Sequence, residues 1–289
     1  TGTVPVVKMK GGKIPMLSKI GVASILLVLW GGAQATAQTY DQLREWCYGD
    51  ATYDQRIQGC DAVIKSARET PQNLADAFYL RGLAYRNKSQ HDRAIQDYDQ
   101  AVKLNPNHAN AFHNRGNAYG RKGQYDLAIQ DYDQAIKLDP NYVNAFNNRG
   151  NAYSNMGQYD RAIQDYDQAI KLKPNGFAFR SRGIAYSNKG QYDRAIQDYD
   201  QAIKLDPDDD LAFYNRGFTY LKLAQFDAAI SDYDAALRID PQYAYALFGR
   251  GVARRKKGDL AGGDADIAAA TAIQKDIAEE LAKLGLKDF

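Results

Sequence analysis

The chain has 289 residues, 45% hydrophobic and 25% charged, ordinary values for a folded soluble protein. Its formal net charge is +2, and the four lysines among the first 37 residues (Lys8, Lys10, Lys13 and Lys19) exceed that, leaving −2 for the remainder. Such a balance gives no concentrated basic surface for nucleic acid, so no nucleic-acid partner is expected and binding should depend weakly on salt.

Residues 1–37 read as an N-terminal extension followed by an export signal. Met16-Leu17-Ser18-Lys19 is a short basic start, Ile20 to Trp30 is an apolar run, and Ala35-Thr36-Ala37 has the small-x-small pattern of a cleavage site. The run is about half the ~20 residues of a membrane span. The expectation is therefore cleavage near Ala37, no stable membrane span afterwards, and a periplasmic or secreted bacterial protein. A retained anchor is the alternative. Residues 38–74 carry Cys47 and Cys60, an even count that suggests a disulfide in an exported chain. In this partial cap, Tyr53-Asp54 and Asp61 to Lys65 echo segments that recur further along the chain.

From residue 75 the chain repeats. Arg-Gly recurs at Arg81-Gly82, Arg115-Gly116, Arg149-Gly150, Arg182-Gly183, Arg216-Gly217 and Arg250-Gly251. The period is about 34 residues, which defines units at 75–108, 109–142, 143–175, 176–209 and 210–243 and a degenerate sixth at 244–277. In residues 109–142, Ala111 to Arg121 reads as a first helix. Gly123-Gln124 interrupts, and Tyr125 to Leu138 carries an apolar stripe of helical period. Pro140 then stops the second helix. Each unit is a helical hairpin. Gly116 permits close approach of the two helices, while Tyr119 and Tyr132 fill the wedge with hydroxyls expected to reach solvent. Repetition of these positions explains much of a tyrosine count of 21. Residues 278–289 complete a C-terminal capping helix.

Gly82, Tyr85, Ala94, Tyr98 and Pro106, recurring through Gly217, Tyr220, Ala229, Tyr233 and Pro241, resemble the tetratricopeptide repeat family. The resemblance implies an all-α solenoid of helix-turn-helix repeats wound as a right-handed superhelix, with first helices lining a concave face. It implies a non-enzymatic scaffold that binds a protein or peptide. Two positions depart from the family. Phe78, Phe112, Phe146, Phe179 and Phe213 stand for an early tryptophan, and arginine stands for leucine before each glycine. Each of these arginines has an aspartate 16 residues on, from Asp97 to Asp266, and an ion pair within the unit is expected.

No cofactor, metal or catalytic set is read from the chain. His91, His108 and His113 are dispersed, and His91 stands where other units have tyrosine. The carboxylates of each Asp-Tyr-Asp point about 160° apart on a helix and do not converge. Asp208-Asp209-Asp210 lies where acids cap a helix. The expected binding surface is the inner groove. Asn110, His113 and Asn117 share one helical face, as do Asn144, Asn147 and Asn151. Asn114, Asn148, Ser181 and Asn215 form a row two residues before each glycine. Arg180 and Tyr214 occupy the position of His113 in later units. Amides offer donors and an acceptor to a peptide backbone. Further along, Leu211, Phe218, Tyr245, Phe248 and Val252 make the groove apolar, unless the C-terminal helix covers that end. Some family members grip a C-terminal carboxylate, but Phe177 and Ser181 stand where its cationic partners belong, so that mode is not implied. The alternative is a structural or regulatory subunit of an envelope complex, bound through the convex face.

Overall fold

The structure is a computed structural model that describes residues 38–283. The expected leader and its cleavage point lie outside the described residues. From Thr39 onward the chain forms one compact unit, entirely helical among the described residues. The helices are α1 (Tyr40–Tyr48), α2 (Tyr53–Ser66), α3 (Pro71–Asn87), α4 (His91–Leu104), α5 (Ala109–Arg121), α6 (Tyr125–Leu138), α7 (Val143–Asn155) and α8 (Tyr159–Leu172). They continue as α9 (Gly176–Asn188), α10 (Tyr192–Leu205), α11 (Asp210–Lys222), α12 (Phe226–Ile239), α13 (Ala244–Lys256), α14 (Leu260–Ile273) and α15 (Ile277–Lys283). None of the described helices is long and apolar enough to cross a membrane.

From α3 onward each hairpin turns on one residue with φ in the left-handed region, which costs a side chain energy and glycine nothing. Gly123, Gly157 and Gly190 take this position at φ 71° to 73°, and Ser89 and Ala224 take it without that freedom. Within the hairpin, a Cβ on Gly116 would lie 2.8 Å from the ring of Tyr132, so glycine there is what lets the tyrosine lie flat between the helices. The same contact recurs at Gly82, Gly150 and Gly183. The Tyr119 series is half-buried, but the tyrosines of the second helices do not reach solvent as expected. Tyr98, Tyr132, Tyr166, Tyr199 and Tyr233 are all fully or almost fully buried.

The arginine that replaces the family's leucine ties the hairpins together. Arg115 makes a bidentate pair with Asp131 of its own unit, at 2.8 and 2.6 Å, and its third nitrogen reaches Asp99 of the preceding unit at 2.6 Å. Its guanidinium also lies over the Phe112 ring, 5.5 Å from the centroid. Burial opposes the charge of Arg115, but the hydrogen bonds and charges of Asp131 and Asp99 outweigh it and hold the group above its usual range. The expected within-unit pair is therefore half of the arrangement. In each Asp-Tyr-Asp, the first carboxylate serves its own arginine and the second serves the next. Arg149 bridges Asp165 and Asp133, Arg182 bridges Asp198 and Asp167, and Arg216 bridges Asp232 and Asp200. The ladder starts at Asp61, which meets Arg81, and ends at Arg250 with Asp234 and Asp266. Ala268 stands where the next outgoing aspartate would be.

Asp61 belongs to α2, so residues 38–74 form a complete hairpin and not a partial cap. Among the described residues seven hairpins precede α15, one more than the repeat spacing suggests. In this first hairpin Cys60 takes the place of the wedge tyrosine, directly before the outgoing aspartate. It is bonded to Cys47 of α1, with Cα atoms 4.6 Å apart. The cross-link thus replaces the glycine–tyrosine contact of the other hairpins. A loop with sequence separation 13 contributes about 3 kcal/mol. Reduction is expected to remove hydrogen-exchange protection from α1 and α2 while leaving α5 to α12 protected. Unchanged protection of α1 would overturn this.

At the other end, Ile277 and Leu281 of α15 are fully buried in one cluster with Phe248 and Val252. The Tyr245 hydroxyl donates to Glu280, which also accepts from Gln274 at 2.9 Å. Tyr245, Phe248 and Val252 of the apolar end of the inner face are therefore covered by the C-terminal helix, whereas Leu211 stays exposed.

Candidate functional site

Successive first helices touch one another along the series α3, α5, α7, α9, α11, α13, whereas among the described residues no successive second helices from α4 onward do. The array therefore bends with its first helices inside. Two open hollows lie along this inner face. One, of about 630 Å³, runs from the end of α3 across α5 to α7 and includes Arg86, His91, Arg121 and Asn155. The other, of about 580 Å³, runs from His113 along the start of α7 to Lys173 and Phe177. Asn148 borders both.

Between the hollows lies a connected polar network. The Tyr132 hydroxyl donates to Asn117 Oδ1 at 2.8 Å, and Asn148 Nδ2 donates to the same oxygen at 2.8 Å. Asn148 Nδ2 also lies 3.0 Å from His113 Nε2. An amide nitrogen only donates, so Nε2 accepts and the proton sits on Nδ1. Nδ1 lies 3.1 Å from the Tyr142 hydroxyl, which in turn donates to Asn110 Oδ1 at 2.8 Å. Every proton in the chain from Tyr132 to Asn110 is thereby placed. His113 is 8% exposed. Burial, with a smaller contribution from the charge of Arg86, brings its pKa down to about 4.

Residues 82–123, 121–157 and 183–223 match the TPR repeat family, and residues 143–175 and 211–243 match the tetratricopeptide repeat. Together these segments span more than half of the sequence. The chain belongs to the tetratricopeptide repeat family. Among solved structures the array is similar to MamA, with 26% identity over 57% of this chain and 96% of that one, at a TM-score of 0.51. It is also similar to YrrB, described as a TPR protein with an unusual peptide-binding site, with 24% identity over 64% of this chain and 97% of that one, at 0.51. A tetratricopeptide repeat protein from Parabacteroides merdae ATCC 43184 shares 21% identity over 87% of this chain and 100% of that one, at 0.67. No curated protein matches the chain in sequence.

The other candidate residues of this tetratricopeptide array divide by partner. Asn114 accepts from Arg86 at 2.7 Å and donates to the Tyr79 hydroxyl and the Asn110 carbonyl. Asn151 accepts from the Tyr166 hydroxyl at 2.7 Å. Asn215 donates to the Leu211 carbonyl at 2.7 Å, Arg180 pairs with Asp209, and Ser181 is buried. Tyr214 lies among Tyr243, Tyr245 and Phe218, away from either hollow. Asn110 and Asn144 are exposed. Asn147 stands apart. It is 5% exposed and lines the second hollow, and its Oδ1 has no hydrogen-bond partner. Asn110, His113, Asn114, Asn117, Asn144, Asn147, Asn148 and Asn151 thus lie together along α5 and α7, whereas Arg180, Ser181, Tyr214 and Asn215 do not join them. Sequence reasoning missed Arg86, Arg121 and Lys173 as lining residues. Asp209 caps α11 by accepting from the Ala212 backbone N–H at 3.1 Å, and among the described residues no cluster could hold a metal ion.

Proposed function

We propose that this protein is a non-enzymatic scaffold, exported through its N-terminal signal, that holds an extended polypeptide along the inner face of α5 and α7. Tetratricopeptide repeats form protein-interaction scaffolds, and the polypeptide groove is the finer part of this reading. The observation that carries it is the Asn147 carbonyl oxygen, buried and unpartnered at the edge of an open hollow. Leaving such an acceptor unpaired costs about 1–3 kcal/mol, a cost that a backbone N–H from a bound segment would remove. Asn144, exposed one turn earlier on the same face, is placed to meet the same segment.

The test uses Asn144→Ala with Asn147→Ala, not substitutions at Asn117 or Asn151, whose loss would strand buried tyrosine hydroxyls. The double variant should melt at or above the wild-type temperature, since an unsatisfied group is removed. Its retention of the partner captured from envelope extract should fall by about tenfold. Unchanged retention would reject the groove. Attention would then move to the second-helix side, where Leu172, Leu205, Ile239 and Ile273, the last residues of α8, α10, α12 and α14, form an exposed apolar column. Export is checked separately by N-terminal sequencing. A mature chain starting at Gln38 is expected, and one retaining Met16 would favour an anchor.

A further inference from the structure

The tetratricopeptide hairpins segregate charge. Helices α5, α7, α9 and α13 contain no aspartate or glutamate, whereas α4, α6, α8, α10 and α12 each contain three aspartates. A net charge of only −2 beyond the first 37 residues therefore conceals a polarised array, acidic on the outer helices and free of acid along most of the inner ones. Both hollows reflect this. Among the described residues no carboxylate lines either one, while Arg86, Arg121 and Lys173 do. Arg86 is held by the amide oxygens of Asn114 and Asn87, neither of which neutralises it. Arg121 and Lys173 are exposed and make no ion pair with any described residue. The ladder arginines of the inner helices are each neutralised by two aspartates, and Arg180, Arg254 and Arg255 each pair with one, so Arg86, Arg121 and Lys173 are the cations of the hollows that the fold leaves without a carboxylate. The influence of Arg86 on His113 shows that its field reaches into the groove.

We propose that the segment bound in the groove is acidic, an extended stretch of a partner protein whose internal Asp and Glu side chains lie against Arg121, Arg86 and Lys173. This rests on the groove reading above and adds the partner's chemistry to it. The chain's own first 37 residues, with four lysines and no carboxylate side chain, have the wrong charge for the site. Two residues that line the same hollows each carry a buried polar atom without a partner, Asn147 Oδ1 in one and His91 Nδ1 in the other. Backbone groups of the segment would meet these, and its side chains would meet the cations.

The test passes two pools of C-terminally amidated decapeptides over the immobilised full array, one with half of its positions Asp or Glu, the other identical but with Asn or Gln there. Amidation removes the terminal carboxylate, so only internal acids are read. The acidic pool should be retained roughly fivefold better at low salt, the size expected for a few exposed charge pairs. The preference should vanish in Arg121→Gln with Lys173→Gln, a variant whose melting curve should match wild type. Equal retention of the two pools would overturn the acid preference and leave the groove reading standing. Retention of neither pool would remove both. A preference that persists in the double variant would place the acidic segment elsewhere and overturn the assignment. Displacement of the acidic pool by single-stranded oligothymidylate at equal charge would overturn it in favour of general polyanion binding.

Discussion

Replacing Arg149 with leucine, the residue the repeat family places there, is expected to destabilise the array by about 3 kcal/mol despite restoring the family's pattern. The cause is the carboxylate left behind. Asp165 is 6% exposed at its side chain, and Arg149 supplies both of its short hydrogen bonds. Removing one partner of a buried pair leaves an uncompensated charge, which costs roughly 3–5 kcal/mol. Asp133, the outgoing partner, is 48% exposed and can be solvated, so Asp133→Asn alone should cost no more than about 1 kcal/mol. Replacing Arg149 and Asp165 together with leucine should recover most of the loss, because apolar packing can substitute for a desolvated pair. Urea denaturation analysed with nearest-neighbour coupling between hairpins measures this, since a repeat array need not unfold in one step. A loss under about 1 kcal/mol for Arg149→Leu would show that the ladder behaves as a row of surface pairs.

The hairpins were legible because their signals are local and repeated. Ala109–Arg121 and Tyr125–Leu138 differ from the sequence reading by two residues at a single end. The first hairpin reads as partial because it keeps few of the landmarks. It has no Arg-Gly, and Gly59 and Cys60 stand where an aspartate and a tyrosine recur. Asp61, which it keeps, is the carboxylate that an incoming arginine requires, and the ladder geometry reveals its role. The sequence also favoured pairing within units, because a separation of 16 is visible in one repeat. The bridge to the preceding unit depends on how hairpins stack.

The asparagines show why the site was harder to read. Helical spacing places them correctly on the inner face, but cannot say whether their partners are a ligand or the protein's own tyrosines. Asn117 and Asn151, one residue after their glycines, accept from the buried Tyr132 and Tyr166 hydroxyls. Where that position is Leu83 or Phe218, the corresponding Tyr98 and Tyr233 hydroxyls have no partner. Part of the asparagine recurrence is thus satisfaction of an internal hydroxyl. Every one of these units keeps its tyrosine, so no variation within the chain betrays the link. Arg86 and Arg121 escaped notice for another reason. A basic residue in the last turn of a helix is ordinary compensation of the helix dipole and points to nothing by itself.

Acidification should weaken the groove network before it weakens the rest of the array, and His113 is the group responsible. In the folded protein its Nε2 accepts from Asn148 and its Nδ1–H faces Tyr142, an arrangement that requires the neutral ring. Protonating Nε2 would set an N–H against the amide N–H of Asn148, with Arg86 adding repulsion. Burial, with the charge of Arg86 as the smaller cause, brings the pKa down to about 4 from an ordinary 6.5. The unfolded chain therefore binds this proton first as pH falls. The contribution is fully present above about pH 6.5, declines as pH drops, and is exhausted below about 4. Full titration corresponds to about 3 kcal/mol, and a change from pH 7 to 4.5 to about 2 kcal/mol. His113→Asn places at this position the residue that Asn147 already provides one unit on. Asparagine does not titrate, so the variant should lose about 2 kcal/mol less than wild type over that interval. His108, also lowered by burial, is present in both proteins, as are the carboxylates, and cancels in the comparison. Parallel stability–pH curves for the two proteins would show that His113 is not the titrating group. Loss of hydrogen-exchange protection in α5 and α7 ahead of α11 and α13 near pH 5, seen in wild type and absent in the variant, would place the effect at the groove.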